Sequence, residues 1–453
     1  MLEIIILAAG KGTRMKSNLP KVMHLLAGRP LVQHVIDRAR ELSAGKIHLV
    51  VGHGAEQVES ALTAADLTFS LQAQQLGTGH AVMQALDKLQ ADSRVLILYG
   101  DVPLIRSATL AQLIELAGDT SMGLLTVNLA NPTGYGRILR AADGAVTAIV
   151  EQKDATAEQL AITEGNSGVM AVTAKQLRRW LPQLSSQNAQ GEYYLTDVIA
   201  LAAAEGTQIK TVLAADEIEV LGINDRAQQA QLERAFQVQQ ANKLMQQGLT
   251  LLDPTRFDLR GQLSVGQDCI IDINCIFEGE CVLEEGVEIG PNCVIKNARI
   301  GAGTHIYANT TVEDSQIDAG CIIGPYARLR PGTHLKAQAK IGNFVETKKA
   351  VIGEGSKVNH LSYIGDAFLG DDVNVGAGTI TCNYDGVNKH VTQVGNNCFV
   401  GANSTLVAPI KVGDNATIAA GSTITTSVHK DELVVARTRQ RHIEGWQRPA
   451  KKK

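Results

Sequence analysis

The sequence predicts an α/β domain followed by a prism of short stacked strands, and three observations lead there. In the first half, aliphatic runs of strand length alternate with stretches of helical periodicity. In the second half, one aliphatic residue returns every six positions from Val265 to Ile424. The chain of 453 residues also exceeds one ordinary core, since domains hold roughly 100 to 200 residues each.

In chain order, Ile4 to Leu7, Ile47 to Val51 and Val95 to Tyr99 read as buried strands, and Pro30 to Leu42 and Gly79 to Leu89 as helices between them. That alternation predicts a mainly parallel sheet covered by helices. From about Asn224 the chain turns Gln-rich and helical, with Leu232, Phe236, Lys243 and Leu244 at helical spacing; Gly248 and Asp253-Pro254 stop it. This segment reads as a helix connecting two domains.

The repeat begins with Val265, Ile271, Phe277, Leu283, Ile289 and Ile295 and continues through Ile323, Leu329, Leu335 and Ile341 to Val412, Ile418 and Ile424. A helix of period 3.6 cannot keep every sixth residue on one face, whereas a coil of three flat sides can. Glycine often follows the aliphatic residue, as at Gly290, Gly342, Gly365, Gly376, Gly395 and Gly413, which suggests tight corners. With about 18 residues per coil there is room for about eight or nine coils, and stacking at ~4.8 Å gives a prism roughly 40 Å tall. The rhythm breaks between Val375 and Val394 at Thr381-Cys382-Asn383-Tyr384-Asp385-Gly386, an inserted loop of the kind that carries binding function in solenoids.

Composition narrows the function. A net charge of −4 gives no reason to expect nucleic acid or an anionic membrane as partner, so small molecules are expected. No apolar run approaches the ~18 residues of a membrane span, and Met1 to Gly10 makes a poor signal peptide, so a cytoplasmic protein is expected. All seven cysteines lie in the second half with no CxxC pair, and Cys269, Cys275 and Cys281 recur every six residues. They read as buried small hydrophobes of the repeat, not as a zinc or redox centre.

The segment Leu7-Ala8-Ala9-Gly10-Lys11-Gly12-Thr13-Arg14-Met15, followed by Pro20-Lys21, places a small, Gly-bearing loop at the carboxyl end of the first strand, where ligands collect in open α/β sheets. It is neither a Walker A loop nor a GxGxxG fingerprint. Together with Gln72, Gly77-Thr78-Gly79-His80, Tyr99-Gly100-Asp101-Val102-Pro103, Thr133-Gly134-Tyr135-Gly136-Arg137, Glu151, Asn166 and Asn224, it resembles the sugar-1-phosphate nucleotidyltransferases. With the hexads, nearly the whole chain is similar to the bifunctional bacterial N-acetylglucosamine-1-phosphate uridyltransferase and glucosamine-1-phosphate N-acetyltransferase family.

The resemblance implies a Rossmann-like α/β nucleotidyltransferase domain in which Leu7, Ala8, Ala9, Gly10, Arg14, Lys21, Tyr99 and Gly100 line the nucleotide site. Gln72, Gly77 and Thr78 would read uracil; Gly136, Glu151 and Asn166 would hold the N-acetyl sugar; Asp101 and Asn224 would hold Mg²⁺. The implied reaction is attack of a sugar phosphate oxygen on the α-phosphorus of UTP, which relies on positioning and charge more than on a protein nucleophile.

The second half resembles the hexapeptide acyltransferases, which implies a left-handed parallel β-helix, a homotrimer and an active site between adjacent prisms. His360, in Val358-Asn359-His360-Leu361-Ser362-Tyr363, matches the family's general base, able to take a proton from the sugar amine before it attacks acetyl-CoA. Arg330 and Lys348 would meet the sugar phosphate, with Tyr363 and Asn374 adding hydrogen bonds. Ala377, Asn383, Tyr384, Ala402, Ala420 and Arg437 would line acetyl-CoA. Ala402 departs from the family, whose members commonly carry Ser there, so a hydroxyl contact is lost. The basic residues Arg437, Arg439, Arg441 and Arg448 could assist with the CoA phosphates, whereas Lys451 to Lys453 read as a frayed terminus.

The expected organisation is a uridyltransferase domain at residues 1–226, a linker helix at 227–250 and an acetyltransferase β-helix with its tail at 251–453. The expected function is acetylation of glucosamine-1-phosphate followed by uridylylation of N-acetylglucosamine-1-phosphate, feeding bacterial envelope precursors. Two alternatives stand beside it: a nucleotidyltransferase whose prism only trimerises or regulates, and a non-catalytic nucleotide-sugar scaffold.

Overall fold

The computed structural model describes residues 1–451, so Lys452 and Lys453 of the basic terminus lie outside the described residues. The chain divides into two compact units, Met1–Phe236 and Gln237–Lys453.

In the first unit, strands β1 (Leu2–Ala8), β2 (Lys46–Val51), β3 (Leu67–Leu71), β4 (Arg94–Tyr99), β5 (Ser121–Asn128), β6 (Arg137–Arg140), β7 (Val146–Val150), β8 (Glu164–Thr173) and β9 (Gln208–Leu213) form one sheet. Its spine runs β9-β5-β8-β4-β1-β2-β3, with β6 and β7 attached beside β8. The sheet is parallel around β1, but β8 runs antiparallel to both β4 and β5. Strand β1 is buried on both faces because helices cover both sides. Ile4 and Ile6 pack on one side with Val32, Val35 and Ile36 of helix α1 (Leu31–Glu41). Ile5 and Leu7 pack on the other with Ala81, Val82 and Ala85 of helix α2 (Thr78–Leu86). This leaves the carboxyl ends of β1 and β4 side by side at an open edge of the sheet.

In the second unit, two-residue strands from Thr250–Leu251 to Leu433–Val434 stack as an eleven-stranded, parallel face. The other faces form a thirteen-stranded sheet in which strands such as Phe257–Val265 and Cys275–Leu283 run unbroken around a corner. The stack therefore starts before and ends after the span from which the hexads suggested eight or nine coils. The outermost coils carry too few aliphatic repeats to be seen by periodicity. Every sixth side chain fills the interior, and Ile271, Phe277, Ile295, Ile323, Leu329 and Ile341 are fully buried.

The corners are made differently from expectation. The six glycines Gly290, Gly342, Gly365, Gly376, Gly395 and Gly413 do not carry positive φ, although Gly324 after Ile323 does; instead, a Cβ on Gly342 would sit 2.0 Å from the Asn359 carbonyl oxygen of the next coil. They are small because stacked backbones approach closely there. The positive-φ residues form columns, one of them Asp268, Gly286, Gly303, Gly320, Gln338, Gly355, Asp372, Asn397, Asn415 and Asp431. Asn, Asp and Gly tolerate this conformation at least cost. A second column reads Asn274, Asn292, Asn309, Tyr326, Phe344, Leu361, Gly378, Asn403 and Gly421, so three large apolar residues take the strained backbone beside His360.

Helix α3 (Arg226–Gln246) contains the boundary between the units. Within the first, Phe236 packs edge-on to His34 at 5.3 Å between ring centroids. Within the second, the buried Gln237 carboxamide donates to the Leu259 carbonyl at 3.1 Å and accepts from the Leu259 N–H at 2.7 Å, closing the free edge of the first long strand. All seven cysteines are unpaired, and six are buried. Their thiols donate to carbonyls of the next coil, as from Cys269 to Glu284 at 3.0 Å and Cys321 to Lys336 at 3.2 Å. Burial pushes the Cys321 thiol up to about 11, which keeps it protonated. Among the described residues no helix is long and apolar enough to cross a membrane.

Candidate functional sites

The loop after β1 and the ends of β3 and β4 enclose a cavity of about 390 Å³ lined by Leu7, Ala8, Ala9, Gly10, Lys21, Gln72, Gly77, Thr78, Tyr99 and Asp101. Ten residues expected from the sequence thus meet in one place. Gly12 makes this possible: its φ is +60°, and a Cβ there would sit 2.7 Å from the Lys21 Cβ. Any larger residue would push Lys21 away from the loop. Lys11, Gln75 and Glu192 also line the cavity.

At one end of the cavity Lys21 forms an ion pair with Asp101 and donates to the Asn224 side-chain oxygen at 3.0 Å. The Ile223 N–H donates to the Asp101 carbonyl at 2.9 Å, tying the Asn224 segment to the end of β4. Asp101 and Asn224 therefore converge on a single positive centre, which is the arrangement a small hard cation requires. No cluster of three or more His, Cys, Asp or Glu side chains suited to a metal exists among the described residues. One carboxylate and one amide oxygen suit a metal whose remaining ligands are phosphate and water.

Gly136, Glu151 and Asn166 form a second group. The Asn166 N–H donates to the Gly136 carbonyl at 2.8 Å, and the Gly136 backbone lies against the Glu151 carboxyl. Burial pushes the Glu151 carboxyl above the usual carboxylate range, with Asp197, Asp154 and Glu192 adding to the rise, while a 3.0 Å hydrogen bond from Thr196 opposes it. Tyr99 joins the two groups: it lines the cavity, and its phenol is raised by burial and by the charges of Glu151 and Asp101. Arg14 lies exposed in a short helical turn outside the cavity lining, and Gly100 is buried behind it. Thr196 and Glu192 escaped the sequence reading. The run Gly191-Glu192-Tyr193-Tyr194-Leu195-Thr196-Asp197, polar and aromatic between two helical stretches, was the available signal.

The prism site is open. Strand register stacks Arg330, Lys348 and Gly365 in one column, and the Tyr363 ring folds over Gly365. Arg330 donates to Glu346 at 2.7 Å, which raises it further. Lys389 of the inserted loop, also missed from the sequence, contacts Lys348 and pulls its ammonium below the ordinary lysine range, with Arg330 adding to the effect. Three cations thus gather, and with Arg330 already paired to Glu346 an anion could bridge Lys348 and Lys389. His360 is exposed at the corner, stacked on Asn343. Above it the corner holds Ala377, Ala402 and Ala420, each coil's N–H reaching the one below, and Arg437 donates to the Ala420 carbonyl at 2.8 Å. Small side chains thus line this edge.

Asn383 is buried and bonded to Asp366, while Tyr384 is exposed. Asn374 lies on the eleven-stranded face, away from the Arg330 column. The prism residues thus lie on two of its faces.

Residues 4–195 match the MobA-like NTP transferase domain, residues 264–297 the bacterial transferase hexapeptide (six repeats), and residues 391–426 the hexapeptide repeat of succinyl-transferase. The chain is 62% identical over 452 residues to the Bifunctional protein GlmU of Cellvibrio japonicus, covering 100% of both. It is 61% identical over 452 residues to that of Saccharophagus degradans, again covering 100% of both. It is 57% identical over 450 residues to that of Marinobacter nauticus, covering 99% of both. The hexapeptide repeats identify the prism as a left-handed parallel β-helix. From the open α/β cavity, the repeat-built edge and this full-length similarity, the chain belongs to the bifunctional GlmU family, enzymes with a uridyltransferase domain and a hexapeptide acetyltransferase domain.

Proposed function

We propose that the N-terminal cavity binds UTP with Mg²⁺ and transfers UMP to N-acetylglucosamine-1-phosphate, and that the edge around His360 acetylates glucosamine-1-phosphate from acetyl-CoA. The observation that carries the first half is the meeting of Lys21, Asp101 and Asn224, far apart in sequence, at the end of the cavity. Residues 1–226 act as the uridyltransferase and 251–453 as the acetyltransferase, joined through the helix at 227–250.

In the cavity, the loop from Leu7 to Gly10 and the Lys21 ammonium hold the phosphates, Arg14 reaching them from the rim, with Gly100 keeping the floor thin. Gln72, Gly77 and Thr78 contact uracil, while Gly136, Glu151 and Asn166 orient the sugar. Asp101 and Asn224 would hold Mg²⁺, which would supply positive charge to the transferring group. A sugar phosphate oxygen then bonds to the α-phosphorus as the bond to pyrophosphate breaks, and the Lys21 ammonium stabilises the charge that develops.

At the prism edge, Arg330 and Lys348 hold the sugar phosphate and Tyr363 and Asn374 orient the ring. His360 takes the proton from the amine, the amine nitrogen bonds to the thioester carbon, and the CoA thiolate leaves. Ala377, Ala402 and Ala420 leave room for the pantetheine arm, the Asn383-Tyr384 pair flanks it, and Arg437 meets a CoA phosphate. The spread of these residues over two faces supports a homotrimer in which a neighbouring prism covers the edge. The protein works in the cytoplasm. The test is an assay of each reaction in Asp101→Ala and His360→Ala: each substitution should abolish one activity and spare the other. Equal loss of both in either variant would overturn the two-site reading.

A further inference from the structure

We infer that His80 is a positioning residue that holds the Gln72 carboxamide with its oxygen toward the ligand, and so sets a preference for a pyrimidine bearing N3–H, uracil over cytosine. The inference rests on the reading that Gln72 contacts the base.

Gln72 is 3% exposed and lines the cavity, so its side chain has little freedom to turn. Its amide nitrogen lies 3.1 Å from the Gly77 carbonyl oxygen and 3.0 Å from Nδ1 of His80. A carbonyl oxygen only accepts, so the atom facing Gly77 must be the nitrogen; the reverse orientation would set two oxygens 3.1 Å apart. Both amide protons are therefore committed, one to Gly77 and one to His80. Nδ1 of His80 must then be the unprotonated ring nitrogen, with the ring proton on Nε2. That side faces Gln84, whose amide nitrogen lies 3.2 Å from Nε2 and 3.1 Å from the His80 carbonyl oxygen; being half-exposed, the Gln84 side chain can swing away from the ring proton, whereas the buried Gln72 cannot. His80 sits in the first turn of α2, which is why its ring reaches back to Gln72.

The group left for a ligand is the Gln72 oxygen, an acceptor. Uracil offers N3–H to such a group, whereas cytosine presents a lone pair at N3, and the two acceptors would repel. A site built around one fixed hydrogen bond rejects the analogue that cannot make it. Thymine and its ribonucleoside keep N3–H, so they define a control that this device does not distinguish from uracil.

The experiment measures kcat/KM for pyrophosphate release from UTP, CTP and 5-methyl-UTP with the full chain and the variants His80→Phe, His80→Asn and Gln72→Ala. His80→Phe keeps a ring but removes the acceptor, so that the Gly77 contact alone holds the carboxamide, and should narrow the UTP:CTP ratio by about tenfold. The UTP:5-methyl-UTP ratio should stay unchanged, and His80→Asn, which retains an acceptor oxygen, should recover part of the discrimination. A loss equal for all three nucleotides, or an unchanged UTP:CTP ratio in His80→Phe, would overturn the inference. If Gln72→Ala narrows the ratio while His80→Phe does not, only the role of His80 fails. If Gln72→Ala leaves the ratio intact, the base-reading role of Gln72 fails as well. Should the Phe variant not fold, His80→Leu carries the same prediction.

Discussion

The two sites differ in what one chain completes. The α/β cavity gathers its residues from several strand ends into one cleft, because a sheet with helices on both faces converges its loops at one edge. The prism spreads its residues along a corner, because each coil contributes one short side and the coils only stack. The first architecture builds a pocket; the second builds an open surface.

The largest effects separate the two sites. Asp101→Ala should lower uridylyl transfer by roughly 10³-fold, the scale on which one fixed charge at a reacting centre acts, and leave CoA release intact. His360→Ala should lower acetyl transfer by about 10²–10⁴-fold, the range of a general base, with pyrophosphate release unchanged. Parallel assays on the same preparations check both, and cross-inhibition would erase the contrast.

Dilution sharpens it. If a neighbouring prism covers the edge, acetyl transfer per chain should fall at least about tenfold once the protein is diluted below its dissociation constant, while uridylyl transfer stays constant. Sedimentation at the same concentrations must show dissociation over the same range. Acetyl transfer that persists in a demonstrated monomer would mean that the edge suffices alone.

A smaller effect lies inside the cavity. If Glu151 holds the sugar as proposed, it accepts the sugar's hydrogen bonds more strongly as a carboxylate than as the acid, and its pKa is raised by burial and by Asp197, Asp154 and Glu192. As pH falls through that raised value the carboxylate is lost, so KM for N-acetylglucosamine-1-phosphate should rise toward acid and level off toward alkali. Thr196→Val removes a donor that favours the charged form. The rise should then begin at higher pH, with KM about fivefold larger in the transition region, as for one lost hydrogen bond of ~1 kcal/mol. A uniform change in KM at every pH would point to distortion of the pocket instead.

Much of this was legible in the sequence for unequal reasons. The hexads revealed the prism because its interior repeats one chemical demand at a fixed interval, and the loop Leu7 to Lys21 marked the cavity because its small residues and charges are contiguous. Thr196 and Lys389 were invisible because each acts through a partner far along the chain, Glu151 in one case and Lys348 in the other. The antiparallel insertion of β8 was equally hidden, since a strand buried on both faces has the same apolar run in either direction. The corners misled because glycine serves two ends: close approach at Gly342, and positive φ at positions that Asn and Asp share.

That last distinction yields the smallest prediction. In the column from Asp268 to Asp431 every residue but Gln338 is Gly, Asn or Asp. Two explanations compete: the backbone conformation selects them, or ladders between side chains do, such as Asn415 donating to Asp431 at 2.9 Å. Gln338 separates them, because it is exposed and its column neighbours, Gly320 and Gly355, carry no side chain to bond. If conformation governs, Gln338→Asn should stabilise the prism by about 1 kcal/mol, since Asn occupies the left-handed region at lower cost, and the denaturation midpoint should rise. Gln338→Gly should gain less, because the more flexible unfolded chain offsets part of the relief. If neither substitution moves the midpoint, the side-chain ladders, and not φ, set the composition of the corners.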